Sequence, residues 1–261
     1  MRSTLRSIVS VLLAVTAVTA EAVPFPGPDA YGYHGSEITY NLRDVSATGT
    51  AVTFGNSDDA TAVASIGFDF SFYGNTYSSL EIGTNGFVTF TQSGNSYCCS
   101  GSPIVTAGGL NNFIAGWWQD NNLTSDDGIR IQVLGAPGSR EFVIGFYNVE
   151  DLDRNVPERF EIILHEGTND IELQYDIISY DEIDNKVMGI ENFNGTDGIQ
   201  LAYYSERDPN LANGEVLFND KGYCFSSGGS NCGTVNVPEP NILALLGLGI
   251  LGLGVSRLRK H

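Results

Sequence analysis

Residues 66–72 read Ile-Gly-Phe-Asp-Phe-Ser-Phe, with an apolar side chain at every second position. A period of two places one face of an extended chain in a core and the other in water. The pattern continues over residues 80–82 to Asn85-Gly86, a favoured tight-turn pair, and resumes over residues 88–90. These residues therefore predict half-buried antiparallel strands.

The same alternation recurs along the chain, and Gly, Asn and Asp fill the gaps between the runs. Further runs occupy residues 129–133, 142–146, 160–164, 171–175 and 199–203. About ten such strands in this length are typical of an all-β fold, a single antiparallel β-sandwich of jelly-roll type. No internal repeat or composition shift divides the body. We therefore expect one domain, residues 37–235, after a proline-rich leader, residues 23–36.

The chain is acidic, with 31 Asp and Glu against 13 Lys and Arg in 261 residues and a formal net charge of −18. Such a surface repels a phosphate polyanion, which excludes nucleic acid as a partner. Charged residues make up only 17% and aromatic residues 11%, which argues against a disordered acidic chain. The composition therefore favours a folded, acidic domain.

The first 22 residues have the features of a secretory signal peptide. Arg2 and Arg6 precede an apolar run, and Ala20-Glu21-Ala22 forms a small-x-small cleavage pattern. We expect signal peptidase to cleave between Ala22 and Val23. An uncleaved N-terminal anchor is the alternative.

The C-terminal segment, residues 236–261, has three parts. Val237-Pro238-Glu239-Pro240 precedes an apolar stretch that predicts a transmembrane helix over residues 241–256, and basic residues follow it to the end. The basic residues would hold that end in the cytoplasm. Without both terminal segments, residues 23–237 carry 29 acids against 8 bases, a net charge of −21.

This tail resembles the PEP-CTERM sorting signal of Gram-negative bacteria. The resemblance implies recognition by an exosortase and cleavage near Pro-Glu-Pro. It also implies a route through an inner-membrane intermediate to the outer surface or the extracellular matrix. Members of that family occur in bacteria that make extracellular polysaccharide, so exopolysaccharide is an expected partner. An ordinary C-terminal membrane anchor is the alternative.

The body resembles a sandwich module of bacterial secreted proteins that is related to nidogen-like extracellular domains. Six phrases carry the resemblance: FDFSFYGNTY (68–77), TNGFVTF (84–90), IAGWWQD (114–120), EFVIGFYNV (141–149), FEIILHEGTNDIELQY (160–175) and GIENFNGT (189–196). The resemblance implies an adhesive or accessory role, and no catalytic set belongs to such modules.

The four cysteines, Cys98, Cys99, Cys224 and Cys232, lie in the exported body, where disulfides are stable. A local bridge between Cys224 and Cys232 is the favoured pairing, which leaves Cys98 and Cys99 to form a vicinal bridge. Crossed bonds between the two pairs are the alternative.

Three acidic loops are the candidates for binding a metal ion, and Ca²⁺ would be that ion because it prefers six to eight oxygen ligands. The candidate ligands are Asp126, Asp127, Asp151, Asp153, Asp181 and Asp184. None of the loops has the EF-hand spacing, and a solvated acidic surface is the interpretation that the sequence favours.

Motifs for catalysis are absent from the sequence. His34 and His165 are the histidines of the body, and His165 has the setting of a surface residue beside a turn. Trp117 and Trp118, with Tyr147, could form an aromatic platform for sugar rings. Because adjacent strand residues face opposite sides, at most one tryptophan can serve, and core packing is the other interpretation for both.

The sequence therefore predicts a non-catalytic exported surface or matrix protein that is adhesive or structural in a polysaccharide-rich biofilm. A glycan- or calcium-binding module is the alternative, followed by a carbohydrate-active hydrolase that acts on exopolysaccharide through paired carboxylates.

Overall fold

The computed structural model describes residues 27–228, except residues 96, 100, 107–108, 124–127, 153–156, 181–183, 207–208 and 211–215. This part of the chain contains fourteen strands and no helix. The strands are His34–Ile38 (β1), Thr50–Ala51 (β2), Thr61–Phe72 (β3), Asn75–Gly83 (β4), Phe87–Thr89 (β5), Phe113–Trp118 (β6), Asn121–Asn122 (β7), Gly128–Leu134 (β8), Glu141–Asp151 (β9), Pro157–His165 (β10), Ile171–Ser179 (β11), Lys186–Glu191 (β12), Gly198–Tyr204 (β13) and Val216–Ser226 (β14). No helix in the described residues is long and apolar enough to cross a membrane.

The strands form two antiparallel sheets, as the alternation predicted. The first sheet has the order β1-β14-β11-β10-β9-β8-β2, and β7 pairs with β9 beside this path. The second sheet has the order β13-β12-β6-β5-β4-β3. The two-residue strands β2 and β7 are too short to show a period in the sequence, which is why the alternation alone does not reveal them.

The core lies between the two sheets and consists of the apolar residues that the alternation singles out. In β3, Ile66, Phe68, Phe70 and Phe72 are buried, while Gly67 and Asp69 between them are exposed. Phe146 and Phe160 stack across β9 and β10 with ring centroids 4.4 Å apart. Burying each such side chain contributes about 1.5–3 kcal/mol, so the inward faces of the strands determine the sandwich.

The turn at Asn85-Gly86 joins β4 to β5 and also supports β6. The Gly86 carbonyl accepts hydrogen bonds from the backbone N–H groups of Gly116 at 3.0 Å and Trp117 at 3.1 Å. Gly86 has φ of +84°, and a Cβ atom there would collide with the Trp117 carbonyl. Glycine is therefore required for both the turn and the close approach.

The chain enters and leaves the sandwich at the same end, which we call the terminal end. His34 of β1 pairs with Ser226 of β14, and β1 forms an edge of the first sheet. The residues before β1 are held there by Asp197, which accepts hydrogen bonds from the Ala30 and Tyr31 N–H groups at 3.0 and 2.8 Å. Segments that precede and follow the sandwich therefore join it on one side.

Candidate functional site

Polar and acidic residues gather at the other end of the sandwich, which we call the acidic end. It consists of residues 55–60, 84–86, 119–123 and 151–152. Asn121 of β7 pairs with Asp151 of β9, and the Leu123 N–H donates to the Ser57 carbonyl at 2.7 Å. The Asn121 N–H also donates to Asn85 Oδ1 at 3.0 Å, so strand pairing and loop hydrogen bonds together join four segments that are far apart in the sequence.

Three carboxylates converge at the acidic end. Asp58, Asp59 and Asp120 are half-buried, and each offers an oxygen within 4.8 Å of the others. Burial, and then the neighbouring charge of Asp59, raise the pKa of Asp58. Like charges at this separation repel, and a bound cation would relieve that repulsion.

The hairpin turn that follows β4 positions two of these carboxylates. The Thr84 hydroxyl donates to the Asp58 carbonyl and accepts from the Ala60 N–H at 3.1 Å, and the Thr84 N–H donates to the Ala60 carbonyl at 3.0 Å. The Asn85 amide donates to Asp59 Oδ1 at 2.9 Å. These hydrogen bonds attach the Asp58 backbone and the Asp59 carboxylate to the turn.

Buried oxygens at the acidic end lack hydrogen-bond donors within the described part of the chain. They are Asp58 Oδ1, Gln119 Oε1 and Asn122 Oδ1. A buried polar atom without a partner costs about 1–3 kcal/mol, so such atoms need a ligand, an ion or a water molecule.

A layer of buried side chains connects the two sheets directly behind these oxygens. Gln119, which follows β6, is fully buried, and its Nε2 donates to Asn121 Oδ1 at 2.8 Å and to Glu158 Oε2 of β10 at 2.9 Å. Sequence reasoning missed this layer. The available signal was the polar run Gln119 to Asn122 directly after a fully buried strand.

A second feature, which we call the outer cavity, lies on the outer face of the second sheet. The segment between β5 and β6 covers Phe87, Phe113 and Trp118 there and leaves a cavity of about 170 Å³. The described residues that line it include Tyr97, Cys98, Leu110, Phe113, Trp118 and Glu191.

The two adjacent tryptophans face opposite sides of the second sheet. Trp117 is fully buried between the sheets, where it packs on Tyr204 and Phe218. Trp118 is 5% exposed, packs against Phe87 and Phe113 and lines the outer cavity. Neither indole N–H has a hydrogen-bond partner among the described residues.

The suggestion that Tyr147 shares a platform with these tryptophans is wrong. Tyr147 lies in a separate cluster with Val45, Val143 and Ile163. Its hydroxyl donates to Glu161 Oε1 at 2.6 Å and accepts the Val45 N–H at 2.8 Å, and burial raises its pKa. The side chains of β9 alternate, so Phe146 enters the core and Tyr147 faces the other side of the first sheet.

Glu191, at the end of β12, holds the covering segment against the outer cavity. Its Oε2 accepts hydrogen bonds from the backbone N–H groups of Val105 at 2.6 Å and Thr106 at 3.4 Å. The side chain is 1% exposed, and burial raises its pKa while these two donors lower it.

The structure joins Cys98 and Cys99 in a vicinal disulfide. Each of their sulfurs also lies within 4.8 Å of an Asp59 carboxylate oxygen. Since Cys98 lines the outer cavity and Asp59 belongs to the acidic end, the two features adjoin at this bridge. Cys224 is fully buried in β14, and Cys232 lies outside the described residues.

His165 ends β10 and lies among acidic side chains. Its Nε2 is 3.1 Å from Glu172 Oε1, and its Nδ1 is 3.7 Å from Glu141 Oε1. Arg43 Nη2 lies within 3.0 Å of both glutamates, so Arg43 forms ion pairs with Glu141 and Glu172 beside His165. His34 lies in β1.

Of the six expected calcium ligands, the structure describes Asp151 and Asp184. Asp151 ends β9 and is buried at 2% exposure, next to Asn121 of β7. Asp184 is half-buried and precedes β12, and its carbonyl accepts a hydrogen bond from the Lys186 ammonium at 2.9 Å.

Several predicted sites lie outside the described residues. These are the candidate calcium ligands Asp126, Asp127, Asp153 and Asp181, the cleavage site at Ala20, Ala22 and Val23, the sorting motif Val237 to Pro240 and the predicted helix 241–256.

The fold and the site together describe an all-β module of two sheets, with a polar end opposite the end where β1 begins and β14 finishes. Residues 30–217 match the family model described as NIDO related, so the chain belongs to the NIDO-related family. Residues 236–260 match the PEP-CTERM protein-sorting motif. Searches of curated proteins and of solved structures found no match.

The two family matches confirm the resemblances that the sequence shows. The PEP-CTERM motif implies processing by exosortase, export, and sorting to the cell surface or the extracellular space of a Gram-negative bacterium. The NIDO-related module fits that location, and neither family is a catalytic one.

Proposed function

We propose that this protein is a non-catalytic surface or matrix protein that exosortase sorts and that adheres to exopolysaccharide in a biofilm. One observation carries the proposal, namely the orientation of the sandwich relative to its tail. Strand β14 runs away from the acidic end and finishes at Ser226, on the side from which the chain continues to the sorting motif at 236–260.

The length of β14 separates Ser226, after which the chain continues to the sorting motif, from the acidic end. Its 11 residues extend about 33 Å at about 3.3 Å per residue. A protein held at the membrane or surface by its tail would therefore present the acidic end outward. Binding residues on loops at the far end of a rigid sandwich are a common arrangement for recognition.

Co-sedimentation of the exported protein with exopolysaccharide from its own cells tests adhesion. The expected result is retention of protein with the polymer and no release of reducing sugar over time. Release of reducing sugar would contradict a non-catalytic role, and protein that stays in the supernatant would contradict adhesion.

Mass spectrometry of the mature protein tests sorting. A C-terminus between Pro238 and Asn241 is expected, and this terminus should be lost in the Pro238→Ala/Pro240→Ala double variant. An intact C-terminus at His261 in the wild type would contradict processing by exosortase.

The acidic end favours a second candidate function, calcium binding. The three converging carboxylates of Asp58, Asp59 and Asp120, together with the Asp58 and Asn122 oxygens that lack donors, resemble the oxygen-rich surroundings that Ca²⁺ requires. Asp120 is not one of the six ligands expected from the sequence, but it shortly precedes the expected loop that contains Asp126 and Asp127.

Calorimetric titration of the exported protein with CaCl₂ tests this candidate. Wild-type protein should release or absorb heat on saturation and melt at a higher temperature with millimolar calcium. Asp59→Asn/Asp120→Asn should abolish both effects, while Asp69→Asn, which changes an exposed acid on β3, should retain them. Absence of heat and of stabilisation in the wild type would contradict calcium binding.

A further inference from the structure

We infer that reduction of the Cys98–Cys99 bridge opens a binding site for one thiophilic divalent cation, with the two thiolates and the Asp59 carboxylate as its ligands. Zn²⁺ is a biological ion of this class. The ligand atoms of the three residues already lie within 4.8 Å of one another. The inference goes beyond the proposed function and does not depend on adhesion or on calcium binding.

The bridge joins neighbours in the sequence, which gives it little value as a structural staple. A disulfide stabilises a fold mainly by restricting the loop that it closes in the unfolded chain, and this effect grows with the length of the loop. The sequence separation of Cys98 and Cys99 is 1, so their bridge closes no loop. Chemistry at the two sulfurs therefore explains the bridge better than stabilisation of the fold does.

The bridge is accessible to a reductant. Cys98 is exposed and Cys99 is half-buried, and exposed disulfides are the labile and regulatory ones. A dithiol reductant, such as a thioredoxin-like protein, would transfer two electrons and two protons to the bridge and become a disulfide itself. The S–S bond breaks, and the chain gains two thiols. In an oxidising compartment the bridge is the resting state, so metal binding depends on this reduction.

The reduced site fits a tetrahedral ion after a small movement. Zn–S distances of about 2.3 Å and Zn–O distances of about 2.1 Å place neighbouring ligand atoms about 3.6–3.8 Å apart. Once the bond is broken, the two sulfurs need to separate by only about 2 Å to reach this spacing. The ion would displace both thiol protons, and a water molecule would occupy the fourth position.

The surroundings of Asp59 attract a cation and orient this ligand. Asp59 is common to two groups of possible ligands, one with Cys98 and Cys99 and one with Asp58 and Asp120. Its Oδ1 accepts a 2.9 Å hydrogen bond from the amide of the turn that follows β4, and such bonds commonly orient ligating carboxylates. Reduction of the bridge therefore adds two sulfur ligands to a region that otherwise offers only oxygens.

Titration with Co²⁺, a spectroscopic substitute for Zn²⁺, tests the site. The exported protein is reduced with a phosphine, separated from it without oxygen and titrated with CoCl₂, and an oxidised sample is titrated in parallel. We expect a thiolate-to-cobalt charge-transfer band that saturates at one ion per chain in the reduced sample and is absent from the oxidised one. Excess Zn²⁺ should abolish the band, and reoxidation should release the ion.

A double cysteine variant separates this site from the other thiols of the chain. Cys98→Ser/Cys99→Ser retains Cys224 and Cys232 and should lose the band after reduction. It should melt at the temperature of the wild type, because the lost bridge closes no loop. A band that persists would assign the metal to Cys224 and Cys232, and a much lower melting temperature would identify the bridge as a staple; each result would overturn the inference.

Two aspartate variants test the third ligand. Asp59→Asn should weaken Co²⁺ binding by the reduced protein at least about 10-fold, because loss of even an outer hydrogen-bond partner of a metal ligand costs about 10–100-fold in affinity. Asp69→Asn, at an exposed position of β3, is the control and should bind as the wild type does. Equal affinities in the two variants would contradict the role of Asp59.

The remaining outcomes bear on the site as a whole. Absence of the band from the reduced wild type, resistance of the bridge to reduction, or a band in the oxidised protein would each contradict the inference. Co-sedimentation and calcium titration are carried out on the oxidised protein, in which this site is closed. The proposed function and the inference can therefore fail independently.

Discussion

The phenol of Tyr175 in β11 donates a 2.6 Å hydrogen bond to the backbone carbonyl of Gly116 in β6, across the core from one sheet to the other. Tyr175 is fully buried, and burial raises its pKa well above the ordinary value, so the phenol stays a donor. The bond links the strand that carries Trp117 and Trp118 to the centre of the first sheet.

We expect Tyr175→Phe to lower the free energy of unfolding by about 1–3 kcal/mol, because it leaves the Gly116 carbonyl buried without this donor. Each kcal/mol corresponds to about 2–4 °C in melting temperature for a domain of this size. Thermal unfolding of the exported protein measures the change. Tyr31→Phe, at a residue that is 46% exposed, is the control and should leave the midpoint in place. An unchanged midpoint in Tyr175→Phe would show that the bond is not stabilising.

Gly86→Ala should destabilise the protein much more than Gly94→Ala. Both glycines have positive φ, +84° and +66°, so alanine is strained by about 1–2 kcal/mol at either position. Only at Gly86 would the new Cβ also strike the Trp117 carbonyl, whereas the space at Gly94 is open. Urea unfolding of both variants gives the comparison, and equal losses would contradict the close approach of the turn to β6.

Glu166 should titrate at an unusually low pH. Its carboxylate receives two side-chain hydrogen bonds from Arg140, at 2.6 and 2.8 Å, and these contacts lower its pKa from 4.5 to about 2. Because the folded-state pKa is depressed, the stabilisation by this pair is complete above pH 4.5 and is lost as the pH falls towards 2.

NMR titration of the Glu166 carboxyl carbon measures this pKa. Arg140→Gln should return it towards 4.5, and Arg130→Gln, on β8, should leave it low. A wild-type midpoint near 4.5 would show that the Arg140 contact does not persist in solution.

Asp197 should control how firmly the segment before β1 is held at the terminal end. Asp197→Ala removes the acceptor of the Ala30 and Tyr31 N–H groups. Amide exchange at these two positions should therefore accelerate, while exchange in β3 should stay as in the wild type. The exposed substitution Asp69→Ala serves as the control, and unchanged exchange at Ala30 and Tyr31 would contradict this attachment.

Sequence periodicity predicted the class of fold because the buried face of each long strand must be apolar. β3 shows this most clearly, since Ile66 to Phe72 alternate between core and solvent as their pattern requires. The same reasoning could not find Asp58, Asp59 and Asp120 as one cluster. Asp120 lies more than 60 positions from the other two, and long-range contacts bring it near them: Asn85 bonds both Asp59 and the Asn121 N–H, and the Leu123 N–H bonds the Ser57 carbonyl.

The candidate ligands expected from the sequence were chosen as runs of acids in single loops, whereas the observed cluster combines acids from two loops. Local runs are visible in a sequence, but convergence depends on long-range strand register. Gln119 and Glu158 illustrate the same limit, because their 2.9 Å contact joins residues from opposite sheets.

By itself, the sequence determined that the chain is an acidic sandwich of strands with a PEP-CTERM tail, because period-two apolarity and the three-part tail are local patterns. It also required that Trp117 and Trp118 face opposite sides. Only the tertiary structure decided which of them enters the core, that the covering segment leaves a cavity over the other, and that the acidic end lies opposite the end where β1 begins and β14 finishes. Those features depend on which strands pair and which sheet face is covered, and both are set by contacts between distant residues.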